Sequence, residues 1–413
     1  MKMIQIGICA LLAFAVLAFG GVEIWGQAIL EMGAAVLLIL WAILALRRRR
    51  ADIHWNWLYL PLLGLGIIAL AQFVFGLTAY PYATKAHLRL WTALLLLIFL
   101  TRESFPASED ARRFAWFLVI LSFGVSLFGI VQHFTFNGKL YWFLALPGNA
   151  GPFGPFVDRD DFAGFVELTA PLGLAMFLQG VSRREHLPVL SLLSIVPIGA
   201  LILSASRGGI LGFCISMIVL LVLWRDRRAG ARQWLGTLML AAGAAGFVVW
   251  LGTGQAVHRF GELAHGKISS DRRISMDRDA WHMFLHHPWT GIGTGTFETV
   301  FPKYQSFYSQ EVVNHVHNDY LELLTETGGA GGLCGMAFLV LLFWKGISHW
   351  RSATDDVDRV FRGAVLAGCS GLLLHSLVDF NLQIPSNALL FLILASAATA
   401  EPDGFAHTRS SIA

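Results

Sequence analysis

Charge is in short supply in this chain. Asp, Glu, Lys and Arg make up 14% of its 413 residues, where a soluble globular chain carries about 25%, and that shortage excludes a fold built mainly in water. Cysteine is nearly absent. Cys9, Cys214, Cys334 and Cys369 stand singly in apolar runs, without the spacing of metal ligands or of a disulfide framework, so they read as small hydrophobes. Internal repeats are missing as well, which argues against a secondary transporter built from two similar halves. The formal net charge of +3 says little about partners, because in a membrane chain the placement of charge matters more than its sum.

Apolar sequence is plentiful: 56% of the residues are hydrophobic and the mean hydropathy is +0.62. A helix needs about 20 apolar residues to cross roughly 30 Å of hydrocarbon. That rule predicts twelve spans, at 3–21, 27–46, 57–78, 86–101, 112–134, 161–180, 187–203, 207–224, 235–252, 328–346, 360–378 and 386–400. The first is expected to be retained, since Lys2 alone is a thin basic region and Gly20-Gly21-Val22 a poor cleavage site. The expected fold is all-α: a polytopic membrane helix bundle of about twelve transmembrane helices, forming one membrane domain over residues 1–413.

Charge placement orients the spans. With a cytoplasmic N-terminus, the inner segments collect 19 of the 30 Lys and Arg residues, and each of the five internal inner loops holds at least two, as the positive-inside rule requires. Both termini are then cytoplasmic. Two long polar stretches fall outside, a first loop at 135–160 and a large late loop at 252–327. The second holds seven of the 14 histidines and six outer basic residues, Arg259, Lys267, Arg272, Arg273, Arg278 and Lys303. Basic residues on the disfavoured side suit an anionic partner, although a solvated loop with ordinary charges explains them too. Within this loop Asp279 to His287 (DAWHMFLHH) places Trp281, Phe284 and Leu285 on one side and stops at Pro288, the pattern of a short helix in the outer interface.

The polar lip His315 to Gly332 (HVHNDYLELLTETGGAGG) precedes an apolar run from Leu333 to Trp344. Continued as a helix from His317, it puts Gly328 and Gly331 roughly 20° and −40° from the imidazole, a stripe suited to a bulky ligand passing a helix end. The alternative is an interfacial His bonded to its own loop, followed by glycines for tight packing. Arg207, in Ser204-Ala205-Ser206-Arg207-Gly208-Gly209, either snorkels to headgroups or grips a phosphate in bidentate fashion. Asp158 and Asp160 open the sixth span, as helix caps or as carboxylates that orient sugar hydroxyls or a cation. Asp379 to Pro385 (DFNLQIP) is a turn whose proline marks the next span; its polar trio Asp379, Asn381 and Gln383 could line the same cavity. Zinc at His315, His317 and Asp319 is a weak reading without a distant partner. Gly291-Ile292-Gly293-Thr294-Gly295 lacks the strand and Lys-Ser/Thr of a nucleotide loop and reads as a tight turn.

These residues resemble the O-antigen ligase and polymerase superfamily of bacterial inner-membrane glycosyltransferases. That family's long external loop ends in His, then Asn, Ser or Gln, nine free positions, Gly, two free positions, and Gly, Thr or Tyr. His317, Asn318, Gly328 and Gly331 fit every position. Arg272-Arg273-Ile274 with His287-Pro288-Trp289-Thr290-Gly291-Ile292-Gly293, Ser206-Arg207-Gly208-Gly209 and Phe162-Ala163-Gly164 are also similar, over a stretch from about Gly154 to Leu390. Asp158 and Asp160 depart from the family, in which Asn often stands at that entry.

The resemblance implies a metal-independent, inverting transfer of a glycan from undecaprenyl diphosphate to a sugar hydroxyl, without a cofactor, at the periplasmic face of the inner membrane. Lipid A–core is the acceptor implied first. A second lipid-linked glycan (a polymerase) or a protein side chain (a protein O-oligosaccharyltransferase) is the alternative, with membrane lipid as the further partner and no nucleic acid. Arg207 and Arg273, with Arg272 as the alternative to the second, would neutralise the leaving diphosphate. His317 would take the acceptor's proton or orient it. Asn318, Asp319, Gly328, Gly331, Asp158 and Asp160 would line the donor and acceptor sites.

Overall fold

The computed structural model describes residues 2–48, 53–105, 108–146, 151–178, 186–224, 269–309 and 312–401. Thirteen helices are found among them: α1 (Lys2–Leu17), α2 (Ile24–Arg48), α3 (Tyr59–Val74), α4 (Pro81–Ser104), α5 (Ser108–Phe134), α6 (Arg159–Leu178), α7 (Leu187–Ser204), α8 (Arg207–Leu223), α9 (Ser269–His286), α10 (Phe297–Val300), α11 (Asp319–Ser352), α12 (Asp356–His375) and α13 (Pro385–Thr399). The bundle is helical as expected. Six helices, α2, α4, α5, α6, α7 and α11, are long and apolar enough to cross a membrane; α1, α3, α8 and α13 are apolar but shorter. The expected span at 235–252 lies outside the described residues. The segment between α5 and α6 adds a small hairpin, β1 (Lys139–Leu140) against β2 (Leu144–Ala145), with Leu140 facing Leu144. Hydropathy could not show it, because two-residue strands leave no periodic signal.

Burial sorts the helices into layers. α6, α12 and α13 are buried along almost their whole length, whereas α2 leaves Ile24, Met32, Val36, Ile39 and Leu46 exposed. In a bundle whose solvent is lipid, an apolar outer surface costs nothing, so hydropathy alone does not separate the core helix from the peripheral one. α8 crosses α12 where Gly212 and Gly371 meet: a Cβ at Gly212 would lie 2.8 Å from the Gly371 carbonyl. Only small residues permit that approach.

The segment ahead of α11 builds a cap with its own core. Met276, Ala280 and Met283 of α9 pack with Ile292, Phe297, Phe301 and Val316 over Leu321 at the start of α11. The helix in this segment starts at Ser269, well before the expected Asp279, and exposes Ile274, Trp281 and Leu285. The glycine turn at 291–295 is pinned to α11, with Ile292 N–H donating to Thr325 O at 3.0 Å and Gly293 N–H to Glu326 O at 3.1 Å.

α11 itself corrects the expected glycine stripe. It begins at Asp319, because the Asn318 side chain accepts the Leu321 N–H at 3.1 Å and caps it, a bond typically worth ~1 kcal/mol. His317 therefore lies ahead of the helix. The helix then breaks at Gly328 (φ 67°, ψ −169°), a conformation open to glycine and forbidding to residues with a Cβ. A Cβ at Gly328 would run into the Trp289 carbonyl, and one at Gly331 into the Thr327 side chain. Both glycines close onto protein and present no open floor beneath the imidazole.

Candidate functional site

Four chain segments far apart in sequence meet at one end of the bundle. Asp379 follows α12 and is buried, with 4% of its side chain exposed. Its Oδ1 lies 3.0 Å from His317 Nδ1. Its Oδ2 lies 3.9 Å from the Arg273 guanidinium and 3.8 Å from His375 Nε2. Arg273, on α9, also faces Asp160 of α6 at 3.8 Å and donates to the Val378 carbonyl at 3.0 Å. Asp277, one turn further along α9, faces His317 and Arg273.

The electrostatics fix the proton on His317. Burial would raise the Asp379 carboxyl, but the hydrogen bond and charge of His317, with His375 and Arg273, hold it at about 2. An ionised carboxylate only accepts, so Nδ1 carries the proton in the bond to Asp379. In the neutral ring, Nε2 is then the nitrogen with the lone pair. His317 is neither lost in lipid nor locked inside, with about a quarter of its side chain exposed, and it rests on the ring of Phe380 at 5.0 Å.

The neighbouring histidine does something else. His315 Nδ1 pairs with Glu322 at 2.7 Å, while the second oxygen of Glu322 accepts the Val316 N–H at 3.0 Å. Burial would lower the His315 imidazole, yet the Glu322 carboxylate, with Glu326 and Asp319, lifts it to about 9. The two imidazoles thus turn to different carboxylates and do not converge as zinc ligands. Together the Glu322 clamp and the Asn318 cap fix the short segment that carries His317.

The other expected residues divide. Asp158 caps α6, its Oδ1 accepting the Asp160 N–H at 2.9 Å; burial raises its own carboxyl to about 6, with Asp160 adding to the push. Asp160 turns inward to Arg273 and to the Ser206 hydroxyl. Ser206 caps α8 by accepting the Gly209 N–H at 3.1 Å. Arg207, the first residue of α8, exposes its side chain between this cap and Gly208, where a Cβ would strike the His375 ring. Asp319 is buried and accepts the Leu382 N–H at 3.0 Å. Arg272 points elsewhere than its neighbour, lying over the Phe307 ring at 5.5 Å and hydrogen-bonding the Ser309 hydroxyl. Consecutive residues on a helix diverge by about 100°, so only one of the pair can reach the cluster.

Asp160, His375 and Asp379 offer ligand atoms within 4.8 Å of one another, a spacing that a cation could bridge. The Arg273 guanidinium already lies against both carboxylates and supplies positive charge there.

A cavity of about 610 Å³ reaches Asp319, Leu373 and Leu382, and its lining includes none of His317, Arg273, Asp160, His375 and Asp379. Its walls are apolar, from Leu65 of α3, Trp91 of α4, Leu339 of α11 and Phe391 of α13, and Asp319, Glu326 and His87 mark its polar end. Gly329, Gly332 and Gly335 line it, in place of the expected Gly328 and Gly331.

Sequence reading missed His375, Glu167, Asp277 and Glu322, and took Asp379 as part of a turn whose polar residues could line the cavity, without pairing it to His317. The signal for Glu167 and His375 was present, since an ionisable residue inside an apolar helix is costly and needs a reason. Asp277 and Glu322 gave none, being ordinary charges in locally polar stretches of sequence.

No curated protein matches the chain. Residues 192–336 match the family model described as O-Antigen ligase, a stretch that holds Arg207, Arg273, His317 and Asn318 and leaves Asp160, His375 and Asp379 outside. Over residues 192–336 the chain is thus similar to the O-antigen ligase family, whose members are glycosyltransferase-like enzymes.

Proposed function

We propose that the protein transfers a glycan from undecaprenyl diphosphate to a sugar hydroxyl at the periplasmic face of the bacterial inner membrane, with lipid A–core as the acceptor. The observation that carries this reading is the sharing of one buried carboxylate, Asp379, between His317 and Arg273, together with an apolar cavity that reaches Asp319. A sugar hydroxyl is too weak an acid to ionise unaided, so its proton must meet a base as the new bond forms. His317 Nε2 takes that proton, and Asp379 stabilises the imidazolium. The acceptor oxygen bonds to the anomeric carbon while the carbon–oxygen bond to the diphosphate breaks on the opposite side. The electron pair leaves with the diphosphate, and the anomeric configuration inverts.

Developing charge on the diphosphate needs fixed cations. Arg273 is suited to this, because its contacts to Asp160 and Asp379 are long, 3.8 and 3.9 Å, and a phosphate can win it by bidentate bonding. Arg207, exposed at the start of α8, supplies the second guanidinium without a metal. The cavity fits the first part of a polyisoprenoid tail, since apolar walls with a few polar groups at one end suit a ligand of that kind.

The test is transfer in vitro from a defined lipid-diphosphate glycan to purified lipid A–core, with and without a chelator. His317→Ala and Arg273→Ala are expected to abolish product in protein that still inserts, and the chelator to change nothing. Product formed on a second donor molecule instead of lipid A–core would replace the ligase reading with a polymerase, and transfer by His317→Ala at the wild-type rate would remove the mechanism.

A further inference from the structure

Beneath Asp379 lies a second pair that the transfer mechanism does not use. Glu167 sits in the middle of α6, wholly inaccessible, and His375 ends α12 with 1% of its side chain exposed. His375 Nδ1 is 2.9 Å from Glu167 Oε1, and its Nε2 faces Asp379 Oδ2 at 3.8 Å. With the 3.0 Å bond from Asp379 Oδ1 to His317, these groups form a file: Glu167, His375, Asp379, His317. It runs from the bundle core to the partly exposed imidazole.

A buried pair of ionisable groups is poor evidence for stability, because well-packed apolar residues of similar volume often do as well or better. Within a membrane bundle such groups are costly and rare. Yet α8 is shaped around this one. A Cβ at Gly208 would collide with the His375 ring, and one at Gly212 would lie 2.9 Å from the Glu167 carboxyl carbon. Two glycines of one helix make room for both members of the pair, and that helix carries Arg207 at its start. The surroundings of Asp379 give the pair a task. Facing it are Arg273 from α9, Asp160 of α6 and Asp158 just ahead of it, His317 ahead of α11, Asp319 of α11 and His375 of α12. Of the cations, Arg273 is the one that a diphosphate would draw away, which leaves Oδ2 to His375.

We infer that Glu167 and His375 are positioning residues: Glu167 orients the His375 ring, and His375 holds Asp379 aimed at His317 once the donor's diphosphate has engaged Arg273. This rests on the proposed transfer reaction and deepens it. The pair touches neither donor nor acceptor, so its loss should slow the step after binding and leave donor affinity alone.

The experiment uses the full-length protein in nanodiscs with a lipid-diphosphate glycan as donor. Glu167→Gln and His375→Gln are each expected to lower kcat by about tenfold to a hundredfold, the range that slight misplacement of reacting groups produces, with the donor KM within about twofold. The double variant should be no slower than the worse single one, since the two residues act as a unit. Glu167→Asp should recover part of the loss in Glu167→Gln. Gly208→Ala, which pushes on the His375 ring without removing a charge, should also lower kcat. Where the single variants fail to insert, the apolar pair Glu167→Met with His375→Leu and the Gly208→Ala variant carry the decision. Wild-type kcat in any inserted variant lacking the pair overturns the inference, as does a rise in KM at constant kcat. His317→Ala and Arg273→Ala are assayed alongside. If they too retain transfer, the proposed function has failed; if they are dead while the pair variants run at full speed, this inference alone has failed.

Discussion

His317 Nδ1 and Asp379 Oδ1 are 3.0 Å apart although 62 residues separate them in the chain. Asp379 accepts at one ring nitrogen, so only the other is open to a substrate proton. The bond also ties the cap segment to the turn between α12 and α13. Arg273, which donates to the Val378 carbonyl, and Asp319, which accepts the Leu382 N–H, join the same two regions.

Replacement of Asp379 by Asn should leave the site folded and nearly inactive. The amide has both a donor and an acceptor, so it no longer selects the His317 tautomer with the proton on Nδ1. A fall in kcat of about 10²- to 10⁴-fold is expected, the usual worth of a positioned base and its orienting carboxylate. Steady-state transfer with purified protein measures it, and normal kcat in the Asp379→Asn variant would show that the carboxylate orients nothing.

The adjacent arginines should behave differently. Arg273→Lys keeps a charge but loses the planar fork, and a loss of at least about tenfold in transfer is expected if the diphosphate is held in bidentate fashion. Arg272→Ala removes a contact to Phe307 and Ser309, remote from Asp379, and should stay within about twofold of wild type by the same reasoning. Equal losses at the two positions would contradict the placement of Arg273 alone in the cluster.

Filling the apolar cavity should discriminate between donors by tail length. Leu65 lines it from α3, away from every residue of the reacting cluster. Leu65→Trp is expected to raise the KM for a donor on a long polyprenyl chain by about tenfold, the cost of displacing two or so buried methylenes, with little change for a short-chain analogue. A uniform change in both would place the tail elsewhere.

The His315 clamp predicts a pH dependence of its own. The imidazole is raised from its ordinary value near 6.5 to about 9. A group raised on folding adds stability that is complete below its unfolded pKa and is lost as pH climbs through the folded one. Thermal unfolding in detergent should therefore weaken between about pH 6.5 and pH 9.5. Glu322→Gln should unfold earlier at pH 6 and lose most of that pH dependence; identical profiles for the two proteins would sink the assignment.

Much of the candidate site could be read directly from local sequence. The His317-Asn318 step, the Ser206-Arg207-Gly208-Gly209 turn and Arg272-Arg273 are compact, and capping chemistry gives each helix start a visible signature in Ser206 and Asn318. One expectation failed for a local reason. The glycine stripe assumed an unbroken helix from His317, whereas a cap at Asn318 and a break at Gly328 set the segment's course. The choice between Arg272 and Arg273 depended on the rotation of α9 against α11, which no spacing within the loop reports.

Hydropathy, charge scarcity and capping residues by themselves determined a helical membrane bundle, the position of most of its helices and the histidine and arginines at one end of it. Those properties are local or additive, so each residue carries its own share of them. The tertiary structure alone decided that Asp379 meets His317, that Arg273 rather than Arg272 joins it, and that Glu167 and His375 stand behind. Such contacts join α6, α9, α11 and α12, and they depend on how those elements pack against one another, which no single stretch of sequence encodes.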